Sequence, residues 1–159
     1  MRKVILLLFF ALGFFSLFSQ TLIIREFIIS FGGNELGISL FYFFWFFWVG
    51  IGALLVLTFL GKFLSKHFLK LLFFYPLLSF LEIILFINLR SLAGVPAWEF
   101  FTLERIFVYL FFLTSFTSLF TGIIFTQGVL WIKKIKEDSA SSIISSSYIF
   151  EALGSFFSG

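Results

Sequence analysis

Long apolar runs separated by short polar breaks make up nearly all of this chain. They cover residues 4–29, 35–60, 69–89, 104–132 and 143–159. A helix rising 1.5 Å per residue needs roughly twenty residues to cross a hydrocarbon core of about 30 Å, so the pattern predicts five transmembrane helices. The sharpest break follows the first run. There Arg25 and Glu26 mark the end of an apolar helix, and Gly32 and Gly33 supply the φ freedom of a tight reversal. Asn34 and Glu35 read as the N-cap region of the next helix. The stretch is expected to be a helix-turn-helix at the membrane surface, with Arg25 paired to Glu35 across the turn.

Composition removes the soluble alternatives. With 61% hydrophobic and 12% charged residues and thirty Phe in 159, a single soluble core of this size could not hide the apolar side chains; the mean hydropathy is +1.15. Lipid is the solvent this chain requires. The absence of Cys excludes disulfides and thiolate chemistry, and one His builds no metal centre, so neither a metal nor a cofactor is expected. The net charge of +3 is no nucleic-acid signature, because the basic residues lie in short clusters between apolar runs. Eight of them (Arg2, Lys3, Lys62, Lys66, Lys70, Lys133, Lys134, Lys136) fall on the N-terminal side of the membrane and three (Arg25, Arg90, Arg105) on the other, which predicts a cytoplasmic N-terminus. A signal peptide is disfavoured, since the first apolar run continues past the position where one would be cleaved.

Two further patterns concern the helix faces. Gly50 and Gly52 leave a notch in the bulky second helix, Ser118 and Gly122 form a small-xxx-small pair in the fourth, and Gly154 lies in a small-residue stripe of the fifth; all are expected at helix contacts. Carboxylates inside the bilayer are the second pattern. Ser147, Glu151, Gly154 and Ser158 follow at spacings of four, three and four, and an entry near Ile143 puts Glu151 roughly 12 Å deep. Glu82 lies six residues beyond Pro76, which is expected to kink or loosen the third helix. Each carboxylate reads either as a substrate- or cation-binding group or as a structural hydrogen bond, and convergence on one cavity separates the two.

The motif REF followed by FGGNELG (Arg25 to Gly37), together with Y-x-x-E-A-L-G-S from Tyr148 to Ser155, resembles the N-terminal membrane segment of bacterial spermidine synthase-like proteins. Phe125, Thr126 and Gln127 depart from it, since a Phe-Pro pair is expected there. The resemblance implies a multi-pass inner-membrane protein whose catalytic aminopropyltransferase domain lies beyond these residues, in the same or a neighbouring gene product. None of that chemistry is carried here: no Gly-rich donor loop, nucleophile elbow, P-loop or H-E-x-x-H helix is present. The expectation is therefore one all-α membrane domain over residues 1–159, the N-terminal part of a longer protein. It would bind or transport a polyamine or another small cation, or else act as a non-catalytic anchor or assembly module. The stripe of Ser147, Gly154 and Ser158 is expected to stay exposed for want of a partner.

Overall fold

The structure, a computed structural model, describes residues 2–33, 35–64, 68–96, 98–135 and 140–159; Asn34, with the cap expected of it, and His67 lie outside the described residues. Helix α1 spans Arg2–Phe31 and α2 Glu35–Leu55, the latter passing through a π-helical turn, Val56–Leu60, into the short α3, Gly61–Leu64. Helices α4 (Phe68–Leu92), α5 (Leu103–Leu113), α6 (Ser115–Ile135) and α7 (Ala140–Ser158) follow, with no strand among the described residues. This is an all-α membrane bundle. Among the described residues four stretches are long and apolar enough to cross a membrane, Leu6–Phe31, Glu35–Phe59, Lys70–Leu92 and Leu103–Lys133; α7, expected as a fifth span, is not one of them. Large side chains on their outer faces stand bare, Phe59 at 81% and Phe73 at 83% exposure, as lipid-facing residues should.

Where the chain reverses after α1, Gly32 (φ 79°) and Gly33 (φ 60°) adopt the left-handed region, and the Gly32 N–H donates to the Ile28 carbonyl at 3.1 Å. The loop between α4 and α5 sits at the same end. Arg90 fastens it, donating from Nε to the Ser30 carbonyl (2.7 Å) and from Nη1 to that of Pro96 (2.8 Å), with its guanidinium over the Phe101 ring. Arg25 does not reach Glu35. It pairs with its neighbour Glu26 at 2.9 Å on an exposed flank, because consecutive helical positions already bring the two heads together above the interface.

The fourth span is not one helix as expected. Pro76 lies inside α4, whose helical run passes through it, and the breaks fall at the Val56–Leu60 π turn and at Thr114, which divides the fourth span into α5 and α6. The second break has a local cause. Thr114 donates its hydroxyl to Leu110 O (2.6 Å), Ser115 to Phe112 O (2.5 Å) and Ser118 to Thr114 O, and hydroxyls bonded back to their own helix loosen it.

The small residues on α7 are not exposed. Ser147 and Gly154 are buried, and Ser155 Oγ donates to the Gly13 carbonyl at 3.2 Å. A methyl group on Gly13 would run into the backbone carbonyl of Glu151, and one on Gly154 into that of Phe10. The same reciprocal arrangement joins α2 to α6: Gly52 abuts the Leu119 carbonyl and Gly122 the Val49 carbonyl. In both crossings a carbonyl meets a glycine three residues farther along the partner, so the backbones pack without side chains between them. Gly50 takes no part. A methyl group there meets nothing within 4 Å.

Seven of the nineteen residues of α7 are Ser, and the helix lies beside the first half of α1. Gly159 rests against Leu17, eleven residues in from Leu6 and so about 16 Å along that span. Two large apolar cores and one small one fill the bundle. The small one joins Val56, Leu64 and Ile123, while one of the large ones surrounds Phe27, Phe41, Trp45, Phe86 and Leu110 and the other Phe9, Phe68, Tyr75 and Ile124. Between them lies a buried polar layer of Ser19, Ser79, Glu82, Thr114, Thr117 and Ser118.

Candidate functional site: two intramembrane carboxylates

Glu82 stands in the middle of that layer, with no exposed surface. The break at Thr114 starts a new helix inside the bundle, and the first backbone N–H groups of a helix have no carbonyl within it to bond. Glu82 Oε2 accepts one of them, the Thr117 N–H, at 2.8 Å. A carboxyl at a helix N-terminus also meets the positive end of the helix dipole, so α4 caps α6 through this side chain. Hydroxyls extend the contact. Thr117 donates to Ser79 Oγ at 3.4 Å, Ser79 donates to the Tyr75 carbonyl at 3.1 Å, and Tyr75 and Thr121 share a bond of 2.6 Å. The other oxygen, Glu82 Oε1, is buried with no partner among the described residues.

Glu151 is placed differently. The Gly13–Gly154 crossing holds it beside α1, seven residues in from Leu6 and so about 10 Å from that end of the span. Its carboxylate is half-buried and has no hydrogen bond or ion pair among the described residues. It lies on the wall of a groove of about 500 Å³ between α2, α6 and α7, lined otherwise by residues that include Val49, Gly50, Ala53, Phe125, Thr126 and Tyr148. The Phe125 and Tyr148 rings stand 5.0 Å apart there. Behind the groove is a cavity of about 20 Å³ that shares Thr121, Phe125 and Glu151 with it and adds Ser16 and Tyr75. The two carboxylates therefore do not converge: one is bound to a backbone N–H within the bundle, the other opens on the groove.

The remaining candidates fall into two groups. Gly52, Ser118, Gly122 and Gly154 lie in helix contacts, while Arg25, Glu26, Gly32, Gly33 and Glu35 occupy the reversal at the far end and approach neither carboxylate. Sequence reasoning missed Tyr75. A signal for it existed, since Tyr75, Ser79 and Glu82 follow at spacings of four and three and so share one helical stripe. Gln127 was missed as well. It is fully buried, donates from Nε2 to the Gly61 carbonyl (3.3 Å) below the π turn, leaves Oε1 without a partner among the described residues, and lines a pocket of about 580 Å³ that Lys133 also lines. A buried Gln in an apolar span is the trace it leaves in the sequence.

An apolar groove with one carboxylate and an aromatic pair can hold a cation that carries hydrocarbon. No group of three or more metal-ligating side chains occurs among the described residues. Comparison of the chain with protein families, with characterised proteins and with solved structures gives no match in any of the three.

Proposed function

We propose that this chain is a multi-pass module of the inner membrane that binds a small organic cation in the groove beside Glu151. The observation that carries the reading is the carboxylate itself, which has no partner among the described residues and stands at the edge of an apolar groove. An intramembrane charge is costly unless something offsets it, and a cation in the groove would do so. The resemblance to spermidine synthase-like membrane segments favours an amine, delivered to or taken from a catalytic domain elsewhere. The orientation belongs to the same proposal, with the N-terminus in the cytoplasm and the Gly32–Gly33 turn outside.

The test is equilibrium binding of spermidine and of simple alkylammonium ions to the full chain in nanodiscs. Saturable binding of at least one of these cations, dropping at least about tenfold in Glu151→Gln, is expected, since a charge-assisted hydrogen bond is worth about that factor. Binding of the same strength in both proteins, or of no cation at all, would remove the reading. Because the chain has no Cys, Gly33→Cys provides a single label for orientation, and reaction with an impermeant reagent from outside is expected.

A second reading is an anchor or assembly module, and one observation favours it: Gly50 lies open on the groove wall, where a further helix could seat closely. Glu151→Gln separates the two: it removes cation binding but leaves the open side of Gly50 free for a docking helix, whereas Gly50→Leu intrudes on both.

A further inference from the structure

The groove and the small cavity behind it differ in chemistry, and the difference narrows the ligand. We infer that the site selects a primary ammonium on a body with no second charge, its head in the cavity behind Glu151 and its hydrocarbon along the groove. This rests on the cation site proposed above and specifies its ligand class.

Size is the first argument. The cavity of about 20 Å³ has room for one water-sized group, so an –NH3⁺ head fits and a trimethylated one does not. Hydrogen bonding is the second. Thr121 Oγ1 donates its proton to the Thr117 carbonyl at 2.8 Å, which makes the Tyr75 O–H the donor in the 2.6 Å bond between the two hydroxyls. With both protons committed, Tyr75 and Thr121 line the cavity with hydroxyl oxygens that can only accept, and the Ser16 hydroxyl, itself hydrogen-bonded to Tyr75, lines it beside them. A primary ammonium brings three N–H donors and no acceptor. Carboxylate, phenol oxygen and threonine oxygen match that count, and the carboxylate also neutralises the charge.

The third argument concerns the rest of the ligand. Beyond Glu151 the polar side chains on the groove wall among the described residues are Thr121, Thr126 and Tyr148, none of them charged. A second ammonium on the ligand would lie uncompensated among apolar side chains, whereas an alkyl chain or ring would pack on Phe125 and Tyr148.

Three probes test this on the full chain in phosphatidylcholine nanodiscs, with binding to Glu151→Gln subtracted to remove partition into lipid: n-hexylammonium, n-hexyltrimethylammonium and spermine. Hexylammonium should bind at least about tenfold more tightly than its trimethyl analogue and than spermine, and Tyr75→Phe should weaken it by about fivefold, the loss of one acceptor. Equal Glu151-dependent binding of the methylated ion overturns the choice of a primary head while leaving the cation site standing. Tightest binding of spermine overturns the single charge in the same way. If no probe binds in a manner that depends on Glu151, while Glu151→Gln melts at the wild-type temperature, the cation site falls and this inference with it.

Discussion

Glu82 and Glu151 are both carboxylates inside a membrane bundle, yet their surroundings assign them opposite roles. Around Glu82 the backbone is the partner: a helix begins at Ser115, its Thr117 N–H needs an acceptor, and α4 supplies one. Around Glu151 the backbone is fully used within α7, whose glycine crossing with α1 places the side chain at a groove and offers it no donor. An ionisable residue in lipid is thus no functional marker by itself. What distinguishes the two is whether the neighbouring backbone has an unmet hydrogen bond.

The contrast can be broken most strongly from the Glu151 side. Gly154→Leu forces a side chain into the Phe10 carbonyl and should unseat α7 at a cost of about 3 kcal/mol, read as lost protease protection of residues 140–159 with α1 to α6 intact. Glu82→Leu comes next. It leaves the Thr117 N–H buried without an acceptor, so thermal unfolding in detergent should show a loss of about 2 kcal/mol, and Glu82→Gln, which keeps an acceptor oxygen, less than half of it. Tyr75→Phe removes one hydroxyl bond to Thr121 and should cost about 1 kcal/mol in the same assay. The smallest effect is expected at Glu151: Glu151→Leu should change stability by no more than about 0.5 kcal/mol, because no protein partner is lost. If Glu151→Leu were as damaging as Glu82→Leu, the two carboxylates would share one structural role.

The helices were legible in the sequence because lipid imposes a length and a composition that thirty Phe and few charges advertise. The reversal was legible for a similar reason, since adjacent glycines with positive φ are the cheapest way to turn that sharply. Partners were not. Nothing in the pattern around Thr114 says that the helix restarts there, because its hydroxyls could as readily have faced another helix; only the packed neighbour turns Glu82 into a cap. Gly50 and Gly52 show the same limit at the smallest scale. They differ by two positions, roughly 200° around the helix, and which of them meets α6 depends on how α2 is rotated in the bundle. Glu151 was flagged by its charge, but its groove is made by α2 and α6, helices that begin more than a hundred and about thirty-five residues earlier in the chain.

The crossing of α1 with α7 also sets a timetable. Gly13 leaves the ribosome 141 residues ahead of Gly154, so that much chain must be made before the two can meet. At about 5–20 residues per second, α1 waits on the order of ten seconds in the bilayer with its glycine notch unfilled. During that interval α2 to α6 can assemble around it, and the niche beside Glu151 closes only with α7. The acidic groove therefore forms only after α1 to α6 have been made, and a disturbance in the making of α7 would be felt there.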